Sequence, residues 1–133
     1  MGLPLSTTTE AVLTILFSAS YRAYQPDMGT PVVISLGLPR WRPEAEQWDR
    51  CWLLAPTSAM FHEADDAEFT RLYVERLARF GPAKIARTLE RIAQEHDAER
   101  LVLLCHEADW SRCHRQQFAA WWLETTGELV REM

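Results

Sequence analysis

Leu101-Val102-Leu103-Leu104-Cys105 is the stretch that decides the fold. It is apolar throughout and strand-length, and it follows the polar turn His96-Asp97-Ala98-Glu99-Arg100, so it reads as the strongest buried strand of the chain. Immediately upstream the period changes. Ile85, Leu89, Ile92 and Ala93 line one face of a helix with charged residues opposite, and Phe69, Leu72, Tyr73, Leu77 and Phe80 line one face of an earlier helix. Gly81 stops the first of these helices and Pro82 opens the second. Further back, Val12-Leu-Thr-Ile-Leu-Phe17, Pro31-Val-Val-Ile-Ser-Leu36 and Cys51-Trp-Leu-Leu54 read as three more strands. Between the last two lies Trp41-Arg-Pro-Glu-Ala-Glu-Gln-Trp48, a proline-containing loop or short helix. Downstream of Cys105 come a loop and a helix carrying Phe118, Trp121, Trp122 and Thr125 on one side. Gly127 ends that helix, and Leu129-Val130 is placed to close the sheet. This order predicts an α/β fold: a single three-layer, Rossmann-like domain over residues 1–133 with a mainly parallel sheet. Residues 1–11 are expected to form a disordered N-terminal stretch.

Bulk properties narrow the function. With 133 residues the chain suits one ordinary domain. A hydrophobic fraction of 47% suits a globular core. No apolar run approaches a membrane span, and residues 3–10 lack the basic region of a secretory leader. Three cysteines, an odd and sparse number, suit a reducing compartment, so a cytoplasmic location is expected. A net charge of −5 supplies no broad field for nucleic acid. The basic residues are nearly all arginine, with Lys84 the lone lysine. That composition leaves room for a local arginine-lined pocket for phosphate or carboxylate, although scattered surface arginines account for it equally well.

In open α/β sheets, ligands sit beyond the carboxyl ends of the strands. The loops after the four main strands would bring Tyr21, Arg22, Arg40, Trp41, Cys105, Glu107, Cys113, His114 and Arg115 to one edge. Three chemistries are open to this group. Cys105, Cys113 and His114 (with His106 as the other imidazole) would make a zinc site, but their spacing departs from the close cysteine pairs of structural zinc. Cys113 near a helix start, between Arg112 and Arg115, has the surroundings of a reactive thiolate, with Glu107 and His114 as the other catalytic candidates. His114 is adjacent to Cys113, so on a helix it points about 100° away and is not simply its base. The structural alternative is an ion pair in which Glu107 clamps Arg115 and holds the loop between them. Tyr21, Arg22, Arg40, Trp41 and Arg115 are the ligand-binding candidates: arginines for anions, and Trp41 and Tyr21 for stacking or shaping. Trp41 serves equally as a lid over the core.

The combination Cys105-x-Glu107 followed by Cys113-His114-Arg115 resembles the signature of the Domain of Unknown Function 488 family, and in particular its short bacterial and phage members. Ser20-Tyr21, Pro39-Arg-Trp41, Leu54-Ala-Pro56 and Trp122-Leu123 fall in the family's order, so the resemblance runs over roughly residues 13 to 131. It implies a compact α/β domain and no particular activity. Taken together, the residues favour a small protein that binds, and in one version processes, a phosphate-bearing ligand such as a nucleotide or a nucleic-acid end. The rivals are a non-catalytic binding or accessory module with the motif as a brace, and a zinc-dependent or thiol-based enzyme.

Overall fold

The computed structural model describes residues 14–62, 65–106 and 114–133. The chain runs β1 (Ile15–Ser20), β2 (Thr30–Val33), β3 (Asp49–Arg50), α1 (Ser58–Phe61), α2 (Asp66–Phe80), α3 (Pro82–Glu95), β4 (Arg100–Cys105), α4 (His114–Thr126) and β5 (Arg131–Glu132). The strands form one sheet in the order β3-β2-β4-β1-β5, and every pairing is parallel. This is the expected α/β fold. The expectation for residues 1–11 lies outside the described residues. No described helix is long and apolar enough to cross a membrane.

β4 occupies the centre, and its sequence shows why. A strand flanked on both edges and covered on both faces can carry no polar side. Leu101, Leu103 and Cys105 face one core and Val102 and Leu104 the other. The first core holds the helices: Phe69, Tyr73 and Leu77 of α2, Ile85, Leu89 and Ile92 of α3, and Phe118 and Trp122 of α4. Irregular chain covers the second, with Tyr21, Tyr24 and Met28 from the β1–β2 connection and Leu38 and Trp48 from the β2–β3 connection. The three layers are therefore helices, sheet, and a coat of loops and short 3-10 turns.

Arg42 pins that coat. Its Nη1 donates to the carbonyls of Tyr21 (2.6 Å) and Tyr24 (2.9 Å), and its guanidinium lies over the rings of Tyr24 and Trp48. The β1–β2 connection must pass the start of β4 closely. At Gly29, φ is +145°, and a Cβ there would stand 3.0 Å from the Arg100 carbonyl oxygen.

Four boundaries differ from the expected ones, and the second strand, expected to reach Leu36, ends at Val33, because side chains rather than a neighbouring strand take the carbonyls of Ile34, Ser35 and Leu36. The first strand extends through Ser18, Ala19 and Ser20, because Ser18 bonds Glu132 and Ser20 accepts from the Ala23 amide, so buried hydroxyls substitute for apolar groups. The part of that expected strand at positions 12 and 13 lies outside the described residues. The expected third strand at 51–54 is instead a 3-10 turn at Trp52–Leu54, and the pairing residues are Asp49 and Arg50. Cys51 makes a last backbone bond to Val33. Leu54 then turns into the helical core, where Tyr73 Oη donates to its carbonyl at 2.6 Å, and Trp52 stays exposed. The closing strand sits at Arg131–Glu132, with Val130 inserted in the core rather than in the ladder. Gly81 joins α2 to α3 at φ +88°, as the Gly-Pro pair predicts.

Gly29→Ala combines an unfavourable backbone region with a collision against fixed backbone. It should cost at least about 2 kcal/mol, read as a lowered urea midpoint at unchanged m-value.

Candidate functional site

The carboxyl ends of β1 and β4 are level, with Ser20 opposite Cys105, and the Tyr21 amide donates to the Cys105 carbonyl at 3.1 Å. Tyr21, Arg22, Cys105, His106, His114 and Arg115 therefore meet at one edge. Trp41 joins them, because the Arg22 guanidinium lies 5.2 Å from its ring centroid. Glu107 and Cys113 lie outside the described residues, and with them the thiolate reading and the Glu107–Arg115 clamp.

Arg115 is 3% exposed. A guanidinium taken from water that far needs acceptors around its fork. Its Nε lies 3.0 Å from both Glu132 carboxylate oxygens, and Nη2 lies 2.9 Å from Oε2. Its Nη1 donates to Cys105 Sγ and to the His106 carbonyl, each at 3.2 Å. Ser18 Oγ donates to the same Glu132 at 2.6 Å. The helix start, the end of the central strand and the edge strand are thus tied by one cation. Glu132 escaped the sequence reading because nothing in the spacing links position 132 to the motif.

His114 is buried too, with Nε2 2.6 Å from the Ile34 carbonyl and the ring edge-on to Tyr73. A carbonyl partner requires that Nε2 carry the proton. Burial pushes the imidazole down to about 4, and the neighbouring Arg115 charge adds to the effect. His114 is therefore a neutral donor linking α4 to the residue that follows β2 at neutral pH.

Cys105 is buried and its thiol faces the His106 carbonyl at 3.4 Å. Among the described residues no group of three or more His, Cys, Asp or Glu is placed to hold a metal; of the zinc candidates, Cys113 is not among them. Tyr21 is buried, its hydroxyl 2.5 Å from Ser35 Oγ, and burial pushes the phenol up to about 12. It shapes the edge from beneath, with its ring against His106 at 5.0 Å. Arg22, Arg40 and Trp41 are exposed.

The chain matches a known protein family. Residues 44–122, more than half of its length, match the profile described as Domain of unknown function DUF488. The chain belongs to that family. No curated protein and no solved structure matches it. The matched span includes His114 and Arg115 and stops short of Glu132, so this carboxylate partner of Arg115 lies outside it.

Glu132→Gln takes from Arg115 the carboxylate that meets its Nε and Nη2. The cost should be about 2 kcal/mol, below the 3–5 typical of fully buried pairs, because the Glu132 side chain is 38% exposed; thermal melts read it. For His114 the folded value lies below the unfolded one. The unfolded chain therefore binds the proton first as pH falls, and stability is lost between about pH 6.5 and 4. The loss should approach roughly 3 kcal/mol. Denaturant titrations at stepped pH should show that slope in the wild type and a shallower one in His114→Gln.

Proposed function

We propose that the protein binds a phosphate-bearing small molecule or a nucleic-acid end at the carboxyl edge of its sheet. Arg22 and Trp41 would be its contact residues, and His114 and Arg115 the rigid frame behind them. The observation that carries this reading is the Arg22–Trp41 pair: an indole 54% exposed, with a guanidinium 5.2 Å from its centroid. An exposed indole offers a stacking platform for a base, and the guanidinium over it offers charge for phosphate. Arg40, exposed and next to Trp41 in sequence, adds a second cation. The net charge of −5 disfavours broad nucleic-acid binding and favours a compact ligand. Any processing of the ligand would fall to Glu107 and Cys113. The sparse cysteines support a cytoplasmic setting.

The contacts of Arg115 favour a second reading, in which this edge serves a non-catalytic accessory module and the motif only braces the fold. Its fork is occupied by Glu132, Cys105 and His106. The two readings separate in a titration of mononucleotides and 5′-phosphorylated oligonucleotides followed by tryptophan fluorescence. Trp41→Ala and Arg22→Gln should each weaken binding about tenfold or more, as loss of a stacking or charged contact does, with unchanged melting temperature. Absence of binding by the wild type would leave the brace as the role of this edge.

A further inference from the structure

The segment that follows β2, residues 34–37, has all four of its backbone carbonyls taken by side chains. The Ile34 oxygen is held by His114 Nε2 at 2.6 Å. Arg50 Nη2 donates to the Ser35 and Leu36 oxygens at 3.2 and 2.8 Å. The Gly37 oxygen accepts from Ser35 Oγ at 2.6 Å and lies 3.2 Å from His106 Nε2. Among the described residues, the amides of Leu36, Gly37 and Leu38 donate to nothing.

Stereochemistry connects the two facts. The chain has no cis peptide among the described residues, and in a trans peptide the C=O of one residue points opposite to the N–H of the next. Each carbonyl drawn towards Arg50, Ser35 or His106 therefore turns the following amide away from that anchor. Leu36 and Leu38 are half-buried and Gly37 is exposed, and no atom of the described residues lies within 4 Å of a Cβ built on Gly37. Among the described residues, nothing covers the outer side of Gly37.

Charge adds a second, independent indication. Arg50 is partly buried, stacked 4.2 Å from the Trp52 ring centroid, and has no carboxylate partner among the described residues. Its contacts on this segment are carbonyl oxygens. A cation on a carbonyl polarises that peptide and strengthens the N–H at its other end. Successive amides in a turn conformation form anion-binding concavities, and the chain bends at residues 35–37.

We infer that the amides of Leu36, Gly37 and Leu38 form an oxyanion-binding loop for a terminal phosphate, with Arg50 as its positioning residue. The inference deepens the reading given under Proposed function, on which it rests, by assigning the phosphate to this backbone segment. Its chemistry is that of a tetrahedral phosphate monoester, whether carried by a free nucleotide or by a nucleic-acid 5′ end.

Amide-resolved NMR of the full ¹⁵N-labelled chain tests it, with inorganic phosphate, a nucleoside monophosphate and a 5′-phosphorylated oligonucleotide as probes and chloride as control. The three amides should shift downfield and saturably with phosphate and remain still with chloride. The monophosphate and the oligonucleotide arms tell the two sources apart by their relative affinities. Gly37→Ala keeps the amide and adds a methyl group that meets none of the described residues within 4 Å, so its melting temperature should hold, while the methyl crowds an anion approaching the neighbouring amides and phosphate affinity should fall about tenfold. Shifts confined to Arg22 and Trp41 would overturn the loop assignment and leave the ligand-binding reading standing. No shift anywhere with any probe would overturn both.

Discussion

A guanidinium withdrawn almost completely from water is the constraint around which this molecule is arranged. Arg115 enters from the first turn of α4 and reaches the side of the sheet on which the helices lie. Solvating its fork with protein atoms takes the Cys105 thiol, the His106 carbonyl and the carboxylate of Glu132. This accounts for an edge strand of only two residues. The ladder pairs of β5 with β1 are few, and Ser18 to Glu132 to Arg115 is what fastens it. Removing the carboxylate is worse than removing a surface charge, because the cation left behind has no access to bulk water.

The two faces of the sheet are covered by different means, and the difference places the site. On one side α2, α3 and α4 pack hydrocarbon in the usual way. On the other, loops without regular ladders must satisfy their own backbone, and arginines do this work: Arg42 for the chain at Tyr21 and Tyr24, Arg50 for the chain at Ser35 and Leu36. A buried loop needs a partner for every polar group. Where the carbonyls are met by side chains and the neighbouring amides are not, the chain has been turned into a donor surface. The arginine-rich composition thus acquires a structural meaning that net charge alone conceals.

What the amino-acid sequence revealed followed from periodicity. The apolar run at 101–105, the faces of α2 and α3 and the Gly81-Pro82 joint could all be read because burial repeats along them at a fixed interval. The motif around Cys105 and His114 was also visible as a concentration of reactive types at a strand end. Its roles were not. Burial is a tertiary property, so nothing in a string of letters marks His114 as a neutral donor to Ile34 or Arg115 as a buried cation. The misplaced third strand has a similar cause: Trp52-Leu53-Leu54 is apolar enough for a strand, yet Leu54 belongs beneath Tyr73 on the helical side, and the pairing falls on the polar Asp49 and Arg50. Asp49 is further engaged by His96 at the end of α3, a contact across 47 positions that no local pattern encodes.

The strand order has a consequence in time. β1 and β2 are consecutive in the chain but never touch, since β4 lies between them, with Ser20 level with Cys105 and Val33 level with Leu104. The slot they border stays empty until a segment some seventy residues later arrives to fill it. Closure of such long loops precedes any reward from pairing, so the rate-limiting event in folding should be the entry of β4, followed by the docking of the neighbouring helices. Until then two apolar strand edges stand open, and the early half of the chain is the part most exposed to pairing with its own kind.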